Sequence, residues 1–136
     1  MLKAQSTLLC EYARPGQNGS FDFLGVFDRI ISPSVPAQHR SLAFVVQLVC
    51  ENEDGLGKRE ATILCLRPGG VPLLEQKVPM HIKADGGTWL GAAKVVFNVQ
   101  GLPIPEYGRY EFRLSVDGQL VAIHPFTVVA SAQPSR

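Results

Sequence analysis

Apolar and polar residues alternate along most of this chain of 136 residues, and helical spacing is nearly absent. The cleanest run covers 109–116, where Tyr110, Phe112, Leu114 and Val116 interleave with Arg109, Glu111, Arg113 and Ser115. Successive side chains of a strand point to opposite faces, so such a run builds a half-buried strand and not an amphipathic helix. Thirteen glycines and ten prolines cut the alternating runs into short pieces. Short strands with closely spaced turn signals predict an all-β fold. The expectation is an antiparallel β-sandwich of about eight strands, an immunoglobulin-like Greek key filling residues 1–129, with a short disordered tail over 130–136.

The expected strands follow from the pattern. Residues 4–12 and 20–28 read as a hairpin, turning through Arg14–Gly19. Residues 30–41 carry Pro33 and Pro36 and read as a long crossing loop. Residues 42–51 are the most apolar, with Leu42, Phe44, Val46, Leu48 and Cys50 inward and Ala43, Val45 and Val49 on the other face. Residues 59–67 follow. Residues 71–80 carry Pro72, Lys77 and Pro79, the marks of an edge strand. The stretch 81–91 reads as a wide loop or a single helical turn. Strands at 92–100, 109–116 and 119–129 complete the set. Asp117-Gly118 favours a type I′ hairpin turn, and a bulge near His124-Pro125 would align Val121 and Ile123 with Phe126 and Val128. Glu106-Tyr-Gly-Arg-Tyr-Glu-Phe112 has the spacing of a tyrosine corner, in which the Tyr110 hydroxyl bonds back to the preceding turn.

Composition narrows the function classes. Thirteen basic against twelve acidic residues give a formal charge of +1, which argues against nucleic acid as the main partner. No uncharged apolar run approaches the ~20 residues of a membrane span. The apolar N-terminal stretch is broken by Lys3, Gln5 and Glu11, too early for a signal-peptide core. Cys10, Cys50 and Cys65 are too few and too far from one another and from any His for a disulfide framework or a zinc site. A soluble, cytoplasmic protein with reduced thiols and no cofactor is expected.

Four stretches carry a likeness: Leu8-Leu-Cys-Glu-Tyr-Ala-Arg14, Gly25-Val-Phe-Asp-Arg-Ile30, Phe97-Asn-Val-Gln-Gly-Leu-Pro103, and Gly108-Arg-Tyr-Glu-Phe112 followed by Val116-Asp-Gly118. With them the chain resembles an uncharacterised bacterial family of small single-domain proteins. The resemblance implies a bacterial, stand-alone β-domain and transfers no catalytic residue.

No catalytic or metal motif can be written. His39, His81 and His124 are too far apart for a ligand pair, and no G-x-S-x-G elbow is present. The expected function is therefore a non-catalytic protein-interaction or structural module. Its candidate surface for a protein partner or a second copy is Ile31, Val35, Val45 and Val49, because a strand apolar on both faces needs cover on both. The internal solution is the proline-containing loop 30–41 folded over its own sheet. The alternative class is a small-molecule or carbohydrate-binding domain, possessing at most weak enzyme activity, that uses His39, Arg40, His81 and Trp89.

Overall fold

The computed structural model describes residues 2–17 and 20–131. Nine strands follow in order: β1 (Leu2–Pro15), β2 (Phe21–Phe27), β3 (Arg29–Ser32), β4 (Ala37–Cys50), β5 (Gly57–Arg67), β6 (Val71–Ala84), β7 (Gly91–Ile104), β8 (Gly108–Val116) and β9 (Gln119–Ala130). They form one sheet in the order β2-β1-β4-β7-β6-β5-β8-β9-β3. Every neighbouring pair is antiparallel except β3 on β9, which is parallel.

This mixed sheet curls until it nearly closes into a barrel, which corrects the expected two-sheet, antiparallel, immunoglobulin-like sandwich. Two features make the difference. First, β6 runs on past Met80 and pairs with β7 at Lys83↔Ala92 and Ala84↔Gly91, joining what would otherwise be separate sheets. The loop between them is closed by Asp85 N–H donating to the Leu90 carbonyl at 2.8 Å. Second, Arg29–Ser32 leave the expected loop 30–41 to pair in parallel with β9, and β4 begins already at Ala37. Only residues 33–36, around the two prolines, lie outside strands there. The tail expected over 130–136 falls, beyond Ser131, outside the described residues.

The local signals fare better than the global one. Asp117 and Gly118 have φ of 50° and 82°, the two positive values a type I′ turn requires. The bulge in β9 is displaced, however: Leu114 faces Ala122 and Ser115 faces Leu120, so Val121 is the extra residue. The core face of β9 is consequently Ala122, Phe126 and Val128, and Ile123 turns outward. The Tyr110 hydroxyl donates to the Glu106 carbonyl at 2.6 Å and accepts from the Glu106 N–H at 3.2 Å, closing the corner as its spacing predicts.

One aromatic chain runs through the main core. Phe44 on β4 stacks on Phe112 of β8 at 5.0 Å, Phe112 on Phe126 at 5.7 Å, and Phe126 on Tyr110 at 5.3 Å. Phe97 and Val46 join the same cluster. The second face of β4 is also covered from within. Ala13 and Phe23, paired across the β1–β2 hairpin, pack with Leu8 and Val96 against Cys10, Ala43 and Val45. The cover is thus the N-terminal hairpin and not the proline loop. All three cysteines are buried and unbridged, and burial pushes the Cys65 thiol up to about 12.

Candidate functional site

The sheet has two seams where its closure is incomplete. The first lies between β6 and β7. Beyond their two paired residues the strands diverge, and a groove of about 370 Å³ opens between them. Its walls are apolar: Ile63, Val78, Met80, Ala93, Val95 and Phe97. Among the described residues, β7 from Ala93 onward pairs only with β4, so its other edge presents unpaired backbone donors and acceptors. The β6 edge is blunted by Pro72 and Pro79, whereas β7 has no proline before Pro103. Basic residues rim the groove: Lys94 and His81 line it, and Lys77 and Lys83 flank it along β6. The Lys94 ammonium lies 4.7 Å from the centroid of the Phe21 ring, so it is held by the hairpin that covers β4.

The second seam lies between β1 and β9. It is bridged by side chains, with Thr7 Oγ1 and His124 Nδ1 2.7 Å apart. The His124 ring also leans on Phe44 at 6.3 Å. Burial holds the imidazole below its usual pKa, and the nearby Asp28 carboxylate opposes that shift. A hollow of about 370 Å³ beside it is lined by Thr7, Leu9, Val26, Phe27, Asp28 and His124 among others. A hydroxyl, an imidazole and a carboxylate therefore share one cleft. Sequence reasoning missed Thr7 because its partner stands 117 positions away. The usable signal was His124 itself, a polar residue in step with the inward Phe126.

The residues singled out from the sequence do not converge. His39 lies on β4, where its Nε2 meets Glu11 Oε2 at 3.0 Å and its ring approaches Phe27 at 5.7 Å. Arg40 follows it, exposed. Trp89 lies in the β6–β7 loop above Lys3, whose ammonium is 4.6 Å from the ring centroid. Lys3 pairs with Val49, so Trp89 sits near one end of β4 and His39 near the other, roughly 33 Å apart at ~3.3 Å per residue. His81, opposite Lys58 on β6, belongs to the first seam. Of the candidate partner residues, Val45 and Val49 are buried at 4% and 0% exposure, and Val35 packs partly against the main core. Ile31 alone is largely exposed, at 60%. No helix among the described residues is long and apolar enough to cross a membrane.

Comparison with known proteins gives a fold likeness and a family. The chain is similar to the C-terminal domain of wzt, with a TM-score of 0.52 and 12% identity over 97% of this chain and 74% of that one. Weaker likenesses are to a beta-glucosidase from Listeria innocua in complex with glucose (TM-score 0.49, 13% identity, 98% of this chain and 16% of that one) and to the Pseudomonas fluorescens alkylpurine DNA glycosylase AlkC bound to DNA containing an abasic site analog (TM-score 0.46, 10% identity, 95% and 30%). At these identities the first likeness concerns fold alone, and the other two bear on neither fold nor function. No curated protein sequence matches the chain. Residues 5–129 match a family described as "Family of unknown function (DUF6941)", and the chain belongs to that family.

Proposed function

We propose that this chain is a non-catalytic interaction module whose first seam accepts an extended, acidic segment of a partner protein as an added strand along β7. The observation that carries this reading is the free β7 edge beside an apolar groove. Main-chain groups of an extended peptide satisfy such an edge, and alternate side chains fill the groove next to it. The basic rim of Lys77, His81, Lys83 and Lys94 selects the charge of the occupant. Prolines on β6 leave β7 as the edge that can be extended.

The test is a displayed library of nine-residue peptides selected on the intact protein, followed by hydrogen exchange of the complex. Enrichment of acidic, β-forming peptides that slow exchange of amides within 93–102 is the expected result, with Lys94→Glu weakening capture. Failure to enrich any peptide, or protection confined to other strands, would overturn the reading. So would a concentration-dependent dimer that buries the same edge, since the occupant would then be a second copy.

A further inference from the structure

Seven arginines lie among the described residues, and four of them meet a carboxylate: Arg14 with Asp22, Arg59 with Asp117, Arg67 with Glu106 and Arg113 with Glu111. Arg29, Arg40 and Arg109 form no such pair. Two of these three, Arg29 and Arg109, stand in one row. Arg29 on β3 is the register partner of Thr127 on β9, and Thr127 is the register partner of Arg109 on β8. Register partners share a face of the sheet, and neighbouring strands lie about 4.8 Å apart, so the backbone positions of the two arginines stand about 10 Å apart on either side of Thr127. All three side chains are exposed, while Ile30, Tyr110, Phe126 and Val128 fill the core behind them.

The row borders an open hollow of about 460 Å³. Asp28, Pro125 and Phe126 complete its walls. Arg109 also borders a second hollow of about 270 Å³ formed with the Pro68-Gly69-Gly70 turn and Arg113. Two arginines that border one hollow without a close ion pair repel each other weakly in water, and an anion between them removes that cost. A phosphate monoester suits the row because its oxygens can accept from both planar guanidinium forks and from the hydroxyl together. Asp28, on the rim, offers an acceptor and excludes a second anionic group, so the rest of the ligand should carry hydroxyl donors.

We infer that Arg29, Thr127 and Arg109 form a binding site for a phosphate monoester on a small hydroxylated carrier. This site is separate from the β6–β7 groove and does not depend on it.

The test follows the arginine Nε–H signals by NMR at low salt while inorganic phosphate, glucose 6-phosphate or glucose is added, with binding measured by calorimetry. Glucose 6-phosphate should move Arg29 and Arg109 saturably, inorganic phosphate should do so more weakly, and glucose should not. Arg29→Gln or Arg109→Gln should each weaken glucose 6-phosphate about tenfold, the scale of one charge-assisted contact, with unchanged thermal melts. Arg40→Gln, which removes an unpaired arginine elsewhere, should change nothing. Uniform movement of all arginines, or equal loss of binding in Arg40→Gln, would overturn the assignment.

Discussion

The two seams enclose hollows of equal size, about 370 Å³, yet they are finished in opposite ways. Between β1 and β9 a hydroxyl–imidazole contact spans the gap, and a carboxylate and an aromatic ring stand behind the imidazole. Between β6 and β7 the walls are largely apolar, and backbone groups are left over along β7. The difference teaches how a nearly closed sheet divides its labour. A seam bridged by side chains spends its polar groups on closure. A seam left apolar and edge-exposed keeps its backbone for an added strand.

Both seams rest on the same aromatic core, so the largest expected effect breaks both at once. Phe112→Ala empties the centre of the Phe44–Phe112–Phe126 stack and should cost about 3–5 kcal/mol, read by urea melts. Val45→Arg asks whether the N-terminal hairpin is a true cover. Placing a cation under Phe23 and Ala13 should cost roughly 2–3 kcal/mol, less than full burial of a charge because the hairpin can lift. If the variant keeps wild-type stability and instead changes only association, β4 has its cover from outside.

Thr7→Val acts on the bridged seam alone. It leaves His124 Nδ1 without its partner and should cost about 1 kcal/mol, while peptide capture at the open seam stays unchanged. The same seam should be pH-sensitive. Because burial holds His124 below its ordinary value, the unfolded chain takes up this proton at higher pH than the folded chain. Stability from this group is complete above about pH 6.5 and declines as pH falls below that, levelling off once the folded imidazole itself is protonated. Thermal melts of wild type and His124→Gln across that window should differ in slope; parallel curves would remove His124 as the cause. Smallest is Lys94→Ala, an exposed change expected to move stability by less than about 0.5 kcal/mol while weakening acidic peptides.

The individual strands were largely legible in the sequence because their determinants are local. Alternation over 109–116 fixes a face, Asp117-Gly118 fixes a turn, and the Glu106–Tyr110 spacing fixes a corner. Closure was not legible, because it hangs on two residue pairs at the end of β6, in a stretch whose Asp85-Gly-Gly-Thr-Trp segment has no alternation. Nor was the parallel strand: Ile30 and Ser32 are buried by β9, almost a hundred residues downstream, while the adjacent prolines announce a loop. The second face of β4 is apolar in the sequence, but nothing local indicates that Phe23 packs against it. The candidate sites suffer the same limit. Arg29, Thr127 and Arg109 are ordinary alternating residues until three strands are laid side by side.

Asp28 is the only residue between β2 and β3, although these strands lie at opposite ends of the sheet order. Its consequence is an unequal tolerance of changes in chain length. One residue added to the Asp85–Leu90 loop lengthens an exposed connection and should pass unnoticed. One residue added at Asp28 must be absorbed by a ladder on β1 or a ladder on β9, and a slip of one position in either would turn its inward side chains to water. Insertions in relatives of this chain should therefore gather in the β6–β7 connection and be missing where β2 passes into β3.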